Sequence, residues 1–361
     1  MMRQPPDTPF HISAVPSPPD LSRPVPGNLN LKSVLITGGA GYVGTLLVPQ
    51  LLDAGYNVVV YDTMYYGCEL KPVARLKLLK ADVRDTPTFR KACKDIDAVI
   101  HLACISNDAG FELDQRLSQT INYDCFEPLV IAAKEQGVKR FIYASSSSVY
   151  GVSDAPEVTE EHPLVPLTLY NKFKGMCEPL LFKHHAKDFV CVAIRPATIC
   201  GYSPRQRLDL SVNILTNHAV NNGKITVFGG EQKRPNLHIQ DMCDLYRLLL
   251  EVPDEHINGE IFNAGYQNHT IMEIAKMVKH VVQQEFPEKG DLPIEITPTN
   301  DNRSYHINSD KIARKIGFKP KRGIEDAVRD LCRAFRAGKL SNSTIDERYH
   351  NVKVLKRIRV S

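Results

Sequence analysis

An α/β fold, a doubly wound parallel sheet followed by a smaller C-terminal lobe, is predicted by two features of this 361-residue sequence. Short apolar runs alternate with helical stretches from Ser33 to about Ala144, the rhythm of strand–helix–strand units that build parallel sheets. A glycine-rich turn, Thr37-Gly-Gly-Ala-Gly-Tyr-Val-Gly44, directly follows the first of these runs.

The elements follow in order. Val34-Leu35-Ile36 is short and wholly apolar, as a strand covered on both faces requires. After the turn, residues 45–54 read as a helix stopped by Gly55. Residues 57–62, 76–79, 98–102 and 140–144 are the next strands, with helices over about 86–94 and 120–136. Beyond Arg195 the alternation loosens, and polar loops such as residues 202–209 separate shorter elements. The chain therefore divides into a proline-rich flexible tail (1–30), a first domain (31–195), a lobe (196–340) with some elements returning to the first domain, and a basic C-terminal extension (341–361) with no assignable structure.

Composition excludes several classes. With 43% hydrophobic residues the chain can bury one large core or two smaller ones. The 45 basic and 41 acidic residues leave a net charge of +4, too mild a bias for nucleic acid or a membrane surface. Nine cysteines are scattered without a Cys-x-x-Cys pair, which points to reduced thiols in a cytoplasmic protein and to neither a disulfide framework nor a metal site. No stretch approaches the ~20 apolar residues of a membrane span, and the first thirty residues lack the apolar segment of a secretory signal.

The turn predicts a cofactor. Gly38 allows a tight reversal, Gly41 lets backbone approach a diphosphate, and Gly44 lets the helix pack on the strand. The helix N-terminus then offers unpaired N–H groups to the anion. Asp62 ends the second strand, where its carboxylate can accept from ribose hydroxyls and would repel a 2′-phosphate, so NAD is expected in preference to NADP. Asp82-Val83 and Leu102-Ala103 fall at strand ends on the same edge, where ligands of open parallel sheets lie. Asp82 suits either the adenine amino group or an ordinary loop acid.

Tyr170 and Lys174 stand four apart in a segment with a helical apolar pattern, so they share one helix face. A free tyrosine titrates near ~10, and work as a base near neutrality needs a shift of ~3 units, or ~4 kcal/mol. One cation at ~4 Å in an effective dielectric of ~20 supplies about that much. Lys174 is thus expected to activate Tyr170, with an oxidised nicotinamide adding a second positive charge. Pro179 is expected to kink or end this helix. Four serines, Ser145 to Ser148, follow the 140–144 strand, where one of them can orient a reacting hydroxyl; the pattern leaves the choice open.

In their order and spacing these motifs resemble the extended short-chain dehydrogenases/reductases, specifically the NAD-dependent nucleotide-sugar epimerase/dehydratase family, over about residues 31–339. The resemblance implies a Rossmann-type sheet with a smaller C-terminal substrate-binding lobe. Tyr42 and Val43 then belong to the cofactor turn, His101-Leu-Ala-Cys104 to the fourth-strand signature, and Asn122 is the structural asparagine at the cofactor site. Ala197, in Arg195-Pro-Ala-Thr198, borders the nicotinamide, and Thr198 the substrate. Counted back from Tyr150-Gly151, the family's serine falls on Ser146, with Ser147 second; Ser146, Tyr170 and Lys174 form the implied catalytic set. Arg234 resembles the arginine that meets the substrate's diphosphate, and Arg303 is a second candidate, with Arg205 and Arg207 behind them.

Two departures bear on the reaction. Where the family's dehydratases carry Asp-Glu, this chain has Ser147-Ser148, which disfavours loss of water. The epimerases' Asn-Pro-x-Gly signature is replaced by Ala197-Thr-Ile-Cys-Gly-Tyr-Ser-Pro-Arg205, which is similar to less-characterised members including nucleotide-heptose dehydrogenases. The resemblance implies a nucleotide-diphosphate sugar as substrate, oxidised at a hydroxyl, C4 expected. Epimerase, 4-dehydrogenase, keto-sugar reductase and a non-catalytic NAD-binding regulator remain as alternatives. A homodimer through the helices near 120–136 and 168–184 is implied as well.

Overall fold

The computed structural model describes residues 31–299 and 304–358. The predicted N-terminal tail and Arg303 therefore lie outside the described residues.

Seven strands form one parallel sheet in the order β3-β2-β1-β4-β5-β6-β10: β1 Ser33–Thr37, β2 Asn57–Asp62, β3 Leu76–Lys80, β4 Ala98–His101, β5 Arg140–Ala144, β6 Val190–Pro196 and β10 Glu260–Ala264. Val34, Leu35 and Ile36 are fully buried because helices cover both faces of this sheet. The strand order reverses between β1 and β4, and a crevice opens there beyond their carboxyl ends.

The expected elements are present with small changes of boundary. The 120–136 stretch is split into a single π-turn at Thr120–Asp124 and the helix Phe126–Glu135, with a separate short helix Gln115–Gln119 before it. Pro179 does not end its helix, which runs from Leu169 to Phe182 with the proline on its exposed side.

The smaller lobe holds a three-stranded sheet, β11-β9-β7 (β7 Thr198–Cys200, β9 Lys233–His238, β11 Gln267–Thr270), and a parallel pair of β8 Ile225–Phe228 with β12 Ile294–Thr297. Helices Ser211–Asn222, Ile271–Glu285 and Ile324–Arg336 pack around a core of Val212, Leu215, Ile274, Val278 and Val328. β10, from the second half of the chain, pairs with β6 in the large sheet.

The C-terminal extension, unassigned from sequence, is an ordered part of the fold. Tyr349 joins Leu208 and Leu331 in a small core, and Leu355 of the helix Asn351–Ile358 packs beside Phe111. Among the described residues no helix is long and apolar enough to cross a membrane.

His101 ends β4 fully enclosed, its Nδ1 2.8 Å from Thr37 Oγ1. Burial, aided by the charge of Lys174, lowers its pKa from 6.5 to about 3. Between these values the unfolded chain binds a proton that the fold refuses, so this contribution is complete above 6.5 and is lost as pH falls toward about 3. The urea midpoint of the wild type is expected to fall more steeply over that window than that of His101→Gln, and to match its slope above pH 7; parallel profiles would contradict this.

Candidate active site

A cleft of about 1070 Å³ lies between the sheet's carboxyl edge and the smaller lobe. At its floor the glycine turn is shaped by close approach. Gly38 has φ +71°, and a Cβ there would meet Ala103 N at 2.7 Å; at Gly44 one would meet Gly39 O at 2.3 Å. The first gap lets the β1 and β4 turns approach, and the second lets the helix Gly44–Asp53 start against the turn. Asp62 accepts from Ala40 N (3.0 Å) and Met64 N (2.7 Å), which aims the carboxylate at the cleft edge. Burial raises its pKa above the usual carboxylate range against the pull of those two donors. This donor and acceptor set fits a dinucleotide.

Gly38, Gly41, Tyr42, Val43, Gly44, Asp62, Asp82, Val83, Leu102, Ala103 and Ala197, all expected at the cofactor, line the cleft. Asp82 is at the same time gripped by Arg84, with Nη2–Oδ2 at 2.8 Å. Burial opposes its ionisation, but Arg84 outweighs it and holds the carboxyl below its usual value. Asn122 departs from expectation: it is not part of the lining. Its Oδ1 accepts from Ile105 N (2.8 Å) and its Nδ2 donates to Ile105 O (3.0 Å), so it fixes the loop after β4 from behind.

Ser146, Tyr170 and Lys174 line this same cleft, as do Thr198 and Arg234. Geometry sets aside one of the four serines. Ser147 is 1% exposed and turned inward, whereas Ser146 and Ser148 face the cleft with their hydroxyls 2.7 Å apart. Ser148 Oγ in turn donates to Asn171 Oδ1 at 2.5 Å. Arg234 lies over the Tyr305 ring, 5.5 Å from its centroid.

The electrostatics of Tyr170 differ from the sequence expectation. Burial pushes its hydroxyl well above the ordinary tyrosine value, Cys104 and Asp108 add to the rise, and Arg207 opposes it. Lys174 Nζ donates to Ala144 O at 2.7 Å and sits 5.2 Å above the Tyr143 ring. The simple sum of one nearby ammonium omitted the desolvation of the phenol, which is the larger effect here.

The helix carrying the pair is anchored at both ends. Thr168 caps it and donates to Asp108 Oδ1 (2.5 Å). Farther along, Glu178 forms a buried fork with Arg195 of β6, Nε–Oε1 2.9 Å and Nη2–Oε2 2.6 Å, and accepts from Ser145 Oγ (2.6 Å).

Sequence reasoning missed part of the wall. Loop 202–209, read from the sequence only as a polar loop, is largely buried: Ser203, Arg205, Gln206 and Arg207 are each under a tenth exposed. Asn351 and Val352, from the C-terminal extension, also line the cleft. This segment is unassigned from sequence, although Val354, Leu355 and Ile358 follow a helical apolar spacing.

A model of the NAD dependent epimerase/dehydratase family matches residues 34–265. The chain belongs to that family. It is an enzyme, and its cofactor is NAD. The UDP-glucose 4-epimerase of Lactobacillus helveticus is 28% identical over 320 residues, 82% of this chain and 94% of its own length. The dTDP-D-glucose 4,6-dehydratase of Mus musculus is 27% identical over 323 residues, 84% of this chain and 89% of its own. Among solved structures, MoeE5 in complex with UDP-glucuronic acid and NAD superposes with a TM-score of 0.74 at 25% identity, covering 85% of this chain and 99% of that one.

Removing one partner of the Glu178–Arg195 fork strands a charge in the interior. Glu178→Ala is expected to lower unfolding free energy by about 3–5 kcal/mol, measured by urea titration; a loss under ~1 kcal/mol would show that the fork does not hold the helix.

Proposed function

We propose that this enzyme oxidises a hydroxyl of a nucleotide-diphosphate sugar, at C4, and returns the hydride to the opposite face, so that it acts as a 4-epimerase. The observation that carries this is the convergence of Ser146, Tyr170 and Lys174 on the cleft that also contains the glycine turn and Asp62. NAD, when bound, accepts and gives back the hydride.

Each side chain then has a defined task. Tyr170 takes the proton from the sugar hydroxyl and later returns it. Ser146 donates to, or accepts from, that oxygen and orients it toward the phenol; Ser148 and Asn171 fix its hydroxyl in turn. Lys174, seated against Ala144 O, supplies positive potential and a donor for the cofactor's ribose. Arg234 and Thr198, on the lobe side, suit the substrate's diphosphate and sugar, and Arg303 joins them from sequence alone.

The substrate class rests on the relatives, which include UDP-glucose 4-epimerases and the MoeE5 complexes with UDP-glucuronic acid and with UDP-glucose. Dehydration is disfavoured by the residues after Ser146: Ser147 is buried and Ser148 is bound to Asn171, so neither position offers an acid or base. The same three catalytic side chains serve a 4-dehydrogenase or a keto-sugar reductase, and the product separates these from an epimerase. Incubation with NAD and a panel of nucleotide sugars should give a product of unchanged mass with altered ring couplings; a loss of two hydrogens would mean a dehydrogenase instead.

Tyr170→Phe should lower turnover by about 10²–10⁴-fold while NAD still binds, as followed by calorimetry. Undiminished turnover would remove Tyr170 from its role.

A further inference from the structure

Arg205 is 5% exposed and lines the cleft. Its guanidinium stacks on the Tyr66 ring, 4.2 Å from the centroid, and Nη2 donates to Asn351 Oδ1 at 2.6 Å. Its Nε is buried with no hydrogen-bond partner among the described residues. The nearby carboxylates are engaged elsewhere. Asp209 is forked by Arg207 (2.9 and 3.1 Å), and Asp62 is occupied by the amides of Ala40 and Met64. Burial and the adjacent Arg207 push the Arg205 guanidinium down to about 10. A buried cation without a counter-charge is costly, and the fold accommodates this one at the edge of a ligand cleft.

Its position suggests the missing anion. Ser203, two residues before it, donates to Tyr42 O (2.6 Å) and lies 2.9 Å from Thr45 Oγ1. The loop therefore rests on the first turn of the ten-residue helix Gly44–Asp53, the end of a helix that favours anions. Tyr66, on the other side, follows β2 and Asp62. Arg205 is thus held between the glycine turn and the segment after β2. Asn351 fixes it there: its Nδ2 donates to Ser106 Oγ (3.1 Å) and its backbone N to Asp209 Oδ2 (3.3 Å).

We propose that Arg205, held in place by Asn351 of the C-terminal extension, binds the diphosphate of the NAD cofactor together with the glycine turn. The extension is then part of the cofactor site. The proposal rests on the NAD seat and is independent of the chemistry assigned to Tyr170.

The test is calorimetric titration of NAD-free protein, wild type and Arg205→Met, with NAD, ADP, adenosine and UDP. NAD and ADP should bind about ten- to a hundredfold more weakly to the variant, with adenosine and UDP unchanged. The melting temperature of NAD-free Arg205→Met should equal or exceed that of the wild type, because an unpaired interior charge has been removed, while the upward shift produced by NAD shrinks. A merely structural arginine would instead lower the melting temperature of the free protein, and failure of the variant to fold would count against the proposal in the same way. Asn351→Leu should weaken NAD and ADP in parallel by a few-fold. Unchanged NAD and ADP affinities in Arg205→Met would overturn the proposal, as would a loss confined to UDP, which would assign the arginine to the substrate's diphosphate. Unchanged NAD affinity in Asn351→Leu would overturn the part given to the extension.

Discussion

The buried fork between Glu178 and Arg195 is the constraint on which the site depends. It crosses from the helix Leu169–Phe182 to β6, and Ser145 at the end of β5 joins it. Arg195 also donates to the Tyr150 hydroxyl (2.7 Å), which donates to Asn263 of β10 (2.7 Å). One ion pair thus ties the helix bearing Tyr170 and Lys174 to three adjacent strands of the sheet. Burial opposes the charge of Arg195, but Glu178 outweighs it and holds the guanidinium protonated more firmly than usual. An apolar replacement of similar volume could match such a pair in stability. It could not fix the rotation of the helix about its axis, and rotation decides whether residues 170 and 174 face the cleft.

The cleft's other wall is built differently, from loops that lock each other. Tyr42, inside the glycine turn, donates its hydroxyl to Gly201 O (2.6 Å) and receives one from Asn213 Nδ2 (3.0 Å). Its burial raises the phenol far above its ordinary pKa, so it serves as a neutral strut between the cofactor turn and the lobe. Loop 202–209 then rests on the turn, and the C-terminal extension rests on the loop through the Leu208 N to Tyr349 O bond (2.9 Å). From the loop after β4, the Asp108–Thr168 bond carries the same network to the cap of the helix Leu169–Phe182. Glycine turn, lobe and the helix bearing Tyr170 are therefore mechanically one unit.

What the sequence made legible follows from the range of the interactions involved. The parallel sheet, the glycine turn and the residues 170 and 174 are encoded locally: apolar runs, fixed glycine spacings and an i, i+4 pair are visible in short windows. The boundaries of β2 and β5 matched for the same reason. The 120–136 helix did not, because the π-turn at Thr120–Asp124 accompanies the clamp of Asn122 on Ile105, a contact seventeen positions away. Loop 202–209 reads as a polar loop from its residues alone; only the fold shows it enclosed, with Arg207 paired to Asp209. Asn351 is the extreme case, since its partners Arg205 and Ser106 are 146 and 245 residues distant.

The same enclosure accounts for the state of Tyr170. A phenol in a desolvated cleft ionises only when positive potential outweighs what burial removes. Two protein cations bear on the region, and both are partly committed: Lys174 to the carbonyl of Ala144, and Arg207 to the carboxylate of Asp209. The protein alone therefore keeps the hydroxyl neutral. In the proposed reaction Lys174 and Arg207 would hold the phenol's side of the cleft positive, and an oxidised nicotinamide, when bound, would add to that charge while a proton is accepted and lose it when the proton is given back. A tyrosine poised in this way can work in both directions of a reversible oxidation, as an epimerase demands. A phenol ionised permanently by stronger protein charges would favour only one.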